Sequence, residues 1–231
     1  MLHLETITGE TYQLLKMLTE DTRLAGFNLA GGTALALYMG HRKSIDLDLF
    51  TPEPFNAPEL ERYLNEKYGF KGDYLENNTL KGSIDGVKID CITHRYPNVE
   101  PTVAEGGLRL YGVRDIAAMK LNAIADSGTR LKDFIDIACL STLLPLSSML
   151  DAYQVKYSSH NPFRPVKGLV YYDDIDFHDP IQMIGSTYDW KSIEQRISAM
   201  LNDPNKIFAS FPVKAPRHVP SVAPKKKTPK L

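Results

Sequence analysis

Cysteine and tryptophan are scarce in this chain, with two Cys and one Trp among 231 residues. Cys91 and Cys139 each lie inside an apolar segment, and neither has CxxC or metal-ligand spacing. A disulfide framework and a thiolate metal centre are therefore not expected, and buried free thiols in a reducing compartment are. Long apolar runs are also missing: nothing approaches the roughly 20 residues of a membrane span. The first ten residues contain no apolar leader core. These absences predict a cytoplasmic protein with no membrane partner. The six histidines have no metal-ligand spacing, and no internal repeat is visible. The GxxxxGK[ST] spacing of a phosphate loop is absent, as are the glycine and glutamate positions of an EF-hand.

What is present suits an ordinary globular protein. A hydrophobic fraction of 43% is enough for a core without covalent staples. The net charge of −1 hides an uneven distribution. From Pro212 to the end there are six basic residues (Lys214, Arg217, Lys225, Lys226, Lys227, Lys230) and no acidic one, so the rest of the chain carries −7. Such a basic, proline-rich tail can hold RNA through phosphate contacts or serve as a disordered solubilising end.

Periodicity gives the organisation. Helical spacing of Leu14, Leu15 and Leu18 predicts a helix within residues 6–24, and Phe27–Ala30 reads as a strand ending in a glycine turn. Thr33–Met39 reads as a helix closed by Gly40. Ser44–Phe50 alternates as a half-buried strand, with Ile45, Leu47 and Leu49 inward and Ser44, Asp46 and Asp48 outward. An amphipathic helix follows at Pro58–Tyr68. Asp85-Gly86 is a type I′ hairpin signal between strands at 80–84 and 87–93. A short strand at 108–111 precedes helices at 113–125 and 130–140, and a further periodic segment spans 192–201. The expected fold class is α+β: a mixed-sheet core over residues 1–112, a mainly helical region over 113–210, and the basic tail over 211–231.

Chemistry concentrates between residues 29 and 50. Gly31 and Gly32 allow close backbone approach to a phosphate, and the helix start beyond them offers unpaired N–H groups and a positive dipole end. Thr33 either caps that helix or donates its hydroxyl to a phosphate oxygen. Asp46 and Asp48 share one strand face, roughly 7 Å apart. Carboxylates that close repel unless a cation lies between them or one is protonated. Mg²⁺ prefers such oxygens together with phosphate and water, with Mn²⁺ as an alternative. Asp90, a charge within an apolar strand, is the candidate third carboxylate of a two-metal clamp. Lys120 interrupts an otherwise apolar helix, and Lys132, Asp133 and Asp136 cluster in the next. A surface charge pattern explains these last residues equally well. The DxD pair taken alone is an ordinary solvated strand face; its weight comes from the glycine turn upstream and Asp90 downstream.

The segment GGTALALYMGHRKSIDLDLF, with Lys120 and the later KDFIDI run, resembles the nucleotidyltransferase toxins of the AbiEii/AbiGii abortive-infection family. That family belongs to the DNA polymerase β-like nucleotidyltransferase superfamily. The likeness is specific over residues 29–50 and 113–140, weaker over 165–197, and silent beyond 205. It implies a polymerase β-like core with an added helical region, a nucleoside triphosphate substrate with Mg²⁺, and a cognate antitoxin as partner. For some members it implies transfer to the 3′ end of tRNA. By position, Gly32 and Thr33 match the phosphate-binding turn, Asp46 and Asp48 the metal-binding pair, and Arg42 and Ser44 the segment before it. Lys120 matches the family lysine, and Lys132, Asp133 and Asp136 match its KDxxD motif. Asp90 is assigned from strand pattern instead.

The expected reaction is attack of an acceptor hydroxyl, RNA or tRNA, on the α-phosphorus with pyrophosphate leaving. Asp46, Asp48, Asp90 and Lys120 would carry the chemistry. Gly31, Gly32, Thr33, Arg42, Ser44, Lys132, Asp133 and Asp136 would bind the nucleotide. A protein-modifying nucleotidyltransferase and a nucleotide-binding regulator without turnover are the alternatives. A DxD glycosyltransferase leaves the Gly-Gly-Thr and Lys-Asp segments unexplained. His41 adjoins the site, whereas His3, His94, His160, His178 and His218 look isolated, structural or exposed. Tyr153, Tyr157, Tyr171 and Tyr172 fit core packing better than base stacking.

Overall fold

In a computed structural model, which describes residues 1–158 and 160–214, the chain forms a seven-stranded mixed sheet and eight α-helices. The basic tail from residue 215 onward lies outside the described residues, as does Ser159. The N-terminal helix is shorter than its apolar period suggests. It is α1 (Gly9–Glu20), opened by the Thr8 side chain accepting from Thr11 N–H and flanked by 3-10 turns at Leu4–Thr6 and Thr22–Leu24. Strand β1 (Asn28–Leu29) leads into α2 (Gly31–Met39), which ends at Gly40. The glycine pair therefore belongs to the first turn of the helix, and the N-cap residue is Ala30.

Strand β2 (Leu47–Thr51) buries Leu47, Leu49 and Thr51 in alternation. It begins three residues later than the expected strand edge at Ser44, and Ile45, expected inward, is 61% exposed. Asp46 thus stands at the mouth of the strand. Helix α3 (Ala57–Tyr68) is capped by the Asn56 side chain. The hairpin β3 (Lys71–Glu76), β4 (Thr79–Ile84) and β5 (Val87–Thr93) follows, with β6 (Val103–Glu105) and β7 (Leu108–Leu110) closing the sheet. The spatial order is β3-β4-β5-β2-β1-β7-β6. In it β2 pairs parallel to β5 and antiparallel to β1, while β1 runs parallel to β7. This mixed arrangement brings β2 into the centre, where both neighbours fix it.

Helices α4 (Val113–Asp126), α5 (Leu131–Leu140), α6 (Leu146–Lys156), α7 (Arg164–Gly168) and α8 (Trp190–Asn202) make up the rest, with a two-residue ladder of β8 (Thr187–Tyr188) and β9 (Val213–Lys214). One apolar cluster runs from Ile7 through the sheet into α4, α5, α6 and α8. Strand and helix parts therefore share a core. No helix among the described residues is long and apolar enough to cross a membrane.

A buried ion pair ties α4 to α6. Asp115 and Lys156 meet at 2.6 Å with no side-chain exposure, and the Asp115 carboxylate also accepts from the N–H groups of Val99 and Glu100. That clamp holds α4 against α6 and against the segment between β5 and β6.

The β4–β5 turn has Asp85 at φ 48° and Gly86 at φ 80°, as a type I′ turn requires. An added Cβ at Gly86 meets nothing within 4 Å. The substitution Gly86→Ala should therefore cost roughly 1–2 kcal/mol through backbone strain alone. Denaturant unfolding at neutral pH measures this, and an unchanged midpoint would contradict it.

Candidate active site

The strand register aligns the carboxylates. Asp48 of β2 is the direct partner of Asp90 on the parallel neighbour β5, so both project from the same face. Asp46, Asp48 and Asp90 line one cavity of about 380 Å³, which also holds Lys81, Lys88 and Arg130. The expected three-carboxylate clamp is not assembled, however. Asp90 Oδ2 is paired with Lys81 Nζ at 2.8 Å, because Lys81 is its cross-strand partner on β4. Among the described residues, no three Asp, Glu, His or Cys side chains are grouped closely enough to hold a metal ion. Asp46 and Asp48 remain as an oxygen-donor pair of the kind a hard divalent cation prefers, with ligand oxygens completing its shell. Burial raises the Asp48 pKa, and the Asp90 and Asp46 charges raise it further against the opposing pull of Lys120 and Arg130. A cation beside it would relieve that repulsion.

Gly31 is packed directly on this carboxylate. Its φ is +66°, and a Cβ there would lie 1.9 Å from Asp48 Oδ2. Both constraints require glycine. The backbone reinforces the contact, with Ala30 N–H donating to the Asp48 carbonyl at 2.8 Å. The N–H groups of Gly31, Gly32 and Thr33 precede the first helical hydrogen bond, from Ala34 N to Ala30 O. The start of α2 therefore presents backbone donors beside Asp48.

Thr33 does something other than expected. It lies inside α2, is 1% exposed, and donates its hydroxyl to the Asp46 carbonyl, 2.9 Å from Ser44 Oγ. It does not cap the helix, whose N-cap is Ala30. Its hydroxyl fixes the 44–46 segment against α2 and so aims Asp46.

Beneath the turn lies a buried ion network. Arg42 grips Asp136 in a fork, Nε to Oδ1 at 2.7 Å and Nη2 to Oδ2 at 2.8 Å. Lys120 Nζ lies 2.6 Å from Asp133 Oδ1 and 2.8 Å from Asp136 Oδ2, and His41 Nε2 lies 2.8 Å from Asp136 Oδ1. Two cations meet two carboxylates, while burial lowers the His41 pKa and keeps its ring neutral. Burial disfavours the charges of Asp136 and Lys120, but their partners outweigh it. Asp136 is held well below the usual carboxylate range and Lys120 above its own. Asp136 has no solvent exposure and is fully engaged by Arg42, Lys120 and His41, whereas Asp133, although 2% exposed, lines the cavity that also holds Lys120 and the glycine turn. Both orient cations. Arg42 is likewise buried, and its Nη2 stands 2.5 Å from where a Cβ on Gly32 would be, bracing the turn from behind. Lys132 and Ser44 face a different cavity of about 590 Å³, which Asp46 and Lys88 also line.

A third cavity of about 300 Å³ is bounded at one end by Gly31, Gly32, Asp48, Lys120 and Arg130, and at the other by Phe50, His94 and Tyr157. Tyr157 packs in the core as expected, and His94, which looked isolated in the sequence, stacks its ring on Phe50 at 5.5 Å and lies 6.1 Å from Tyr157. Burial, then the Lys156 charge, pushes the His94 pKa down to about 4, which leaves a neutral aromatic face. The missed signal is period two. Phe50 follows Asp48 and His94 continues the 90, 92 alternation, so both point where the carboxylates point.

Backbone donors at a helix start, a carboxylate on the adjacent strand and a buried lysine thus line one cleft. The model of the family described as "Nucleotidyl transferase AbiEii toxin, Type IV TA system" matches residues 13–211, and the chain belongs to that family. Its activity class is nucleotidyl transfer, and its substrates are nucleoside triphosphates. An uncharacterised protein of Aquifex aeolicus is 36% identical over 154 residues, covering 64% of this chain and 74% of that protein. Among solved structures, the nucleotidyltransferase toxin MenT4 of Mycobacterium tuberculosis shares the fold with a TM-score of 0.56 at 16% identity. That alignment covers 82% of this chain and 80% of MenT4. A candidate nucleotidyltransferase of Helicobacter pylori aligns with a TM-score of 0.50 at 15% identity, covering 84% and 91%.

Removing one member of a buried ion network leaves its partners uncompensated, so Asp136→Asn should lose roughly 3–5 kcal/mol at pH 7. The depressed Asp136 pKa means its stabilisation is complete above an unfolded-state value of about 4 and disappears as pH falls through the folded value. The stability gap between wild type and variant should therefore narrow in acid. Urea unfolding across pH reads both, and a gap that stays constant down to acid unfolding would refute the assignment.

Proposed function

We propose that this enzyme transfers a nucleoside monophosphate from a nucleoside triphosphate to the terminal hydroxyl of an RNA, tRNA in particular. In this reading it is a cytoplasmic toxin restrained by a cognate antitoxin. The observation that carries the reading is the placement of Asp48. It is in register with Asp90 across parallel strands and in contact with the glycine turn that opens α2.

Asp46 and Asp48 would hold Mg²⁺, or Mn²⁺ in its place, which would supply charge neutralisation for the triphosphate and polarisation of the α-phosphate. The chain's own groups do the positioning. Backbone N–H groups at Gly31 and Gly32 receive phosphate oxygens, and Lys120 faces the same cavity with its ammonium charge secured by Asp133 and Asp136. The acceptor oxygen attacks the α-phosphorus, its proton passes to the Asp90 carboxylate, and the bond to the bridging oxygen breaks to release pyrophosphate. Fixed donors near that leaving charge lower the barrier without reorganisation. The apolar end of the cavity, with Phe50 and His94, receives the flat base.

The test is label transfer from an α-radiolabelled triphosphate to total RNA and, separately, to total cell protein. Label in RNA supports this reading, while label confined to protein would make the enzyme a protein-modifying transferase. Asp48→Asn should lower transfer by at least about 100-fold with unfolding by heat unchanged. Full transfer by that variant would refute the carboxylate's role.

A further inference from the structure

The edge strand β3 contains an irregularity whose effect is to redirect one aromatic side chain toward the carboxylates. Gly72 pairs with Gly82 and faces α3, where a Cβ on Gly72 would meet the Glu61 carboxylate. Strict alternation would turn Tyr74 to that same side. The register instead shifts between Gly72 and Tyr74, with Asp73 as the extra residue, and Tyr74 pairs with Lys81. One inserted residue reverses the parity of everything after it. Tyr74 consequently joins the cross-strand row Tyr74–Lys81–Asp90–Asp48, which crosses four strands on one face. It stands two strand spacings from Asp90, roughly 10 Å.

The surroundings carry a consistent chemistry. Tyr74 is 47% exposed and lines the same cavity as Asp46, Asp48 and Asp90. Lys88 projects from β5 on the same face, two residues before Asp90, and its row continues through Ser83 to the exposed Lys71. Arg130 lines the cavity from α5's side. Beyond the three site carboxylates, the acids beside this surface are Asp73, Glu76, which bonds the Tyr74 hydroxyl, and Asp133, 3.8 Å from Arg130; Lys71 and Lys88 are the cations of the row that face outward beside the ring. An open aromatic ring among cations is the composition that binds single-stranded nucleic acid, by stacking a base and tracking phosphates. Addition of a protein strand to the β3 edge is disfavoured by the same bulge, which interrupts the row of free backbone groups.

From this row we infer that β3 is the acceptor platform: the 3′-terminal segment of a single-stranded RNA stacks a base on Tyr74, its phosphates meet Lys71 and Lys88, and its terminal hydroxyl reaches Asp90. The inference rests on the transferase reading for the last step only. The platform itself is a binding surface and is testable without turnover.

Binding of a short fluorescent single-stranded RNA to the full chain, followed by anisotropy, reads the platform directly. Tyr74→Ala should weaken it about 10-fold, and Tyr74→Phe, which keeps the π-face, should bind as wild type does. Lys88→Gln should lower the slope of log affinity against log salt by about one. Affinity for the radiolabelled triphosphate should be the same in Tyr74→Ala as in wild type. Unchanged RNA binding in Tyr74→Ala would overturn the platform even if the wild-type enzyme labels RNA, and would leave the β3 edge to a protein strand. Tyr74-dependent RNA binding by an enzyme that labels no RNA would instead sink the transferase reading and leave the platform standing. A variant that loses RNA and triphosphate binding together has lost its fold or its cleft, and that result also counts against a role specific to the acceptor.

Discussion

The Asp136 carboxylate, fully withdrawn from solvent, lies against Arg42, Lys120 and His41 at once. Through it the segment after α2, the middle of α4 and the body of α5 are drawn to a common point. A lone carboxylate in that position would take a proton or remain unburied, since an uncompensated charge costs several kcal/mol in a low-dielectric interior. The cations are therefore structural necessities for Asp136, and Asp136 is in turn what keeps them in place. Arg42 then supports the glycine turn from beneath, and Lys120 stands at the floor of the cavity beside Asp48. The site is organised from its buried side outward.

On the open side the determinant is strand pairing. A parallel neighbour places Asp90 level with Asp48, and the antiparallel partner β1 delivers the chain into α2 immediately above it. Ala30 hydrogen-bonds the Asp48 backbone while Gly31 touches its side chain. The anion-binding end of a helix and a carboxylate are thus held within contact distance, an arrangement that favours a ligand bringing both negative phosphates and a positive counterion. Thr33 completes the geometry by tying the Asp46 carbonyl to the helix interior.

Local signals were the readable ones. The Asp85-Gly86 turn announces itself because only a few residue types tolerate two successive positive φ values. The alternation around Asp48 and the apolar period of α4 and α5 likewise report burial directly. What failed to show was anything decided by a distant partner. Asp133 and Asp136 read as a surface charge pattern or as ligand contacts, because nothing adjacent in the chain reveals that α5 faces Arg42. Thr33 read as a cap because a Thr after two glycines usually begins a helix, whereas here the glycines already lie within it. His94 read as isolated because its neighbours in space, Phe50 and Tyr157, come from other elements. Ile45 looked inward by period, yet the strand had not begun.

The partners that complete the core of the site are far apart along the chain, with Arg42 and Asp136 separated by 94 residues. Contacts of such separation close late, after the loop entropy between them has been overcome. During synthesis the glycine turn and both β2 aspartates leave the ribosome well before α5 does. An incomplete chain accordingly lacks the anchor that steadies Arg42 and Lys120. That order of assembly makes a braced glycine turn a property of a chain that has reached α5, whatever the local propensity of the turn itself.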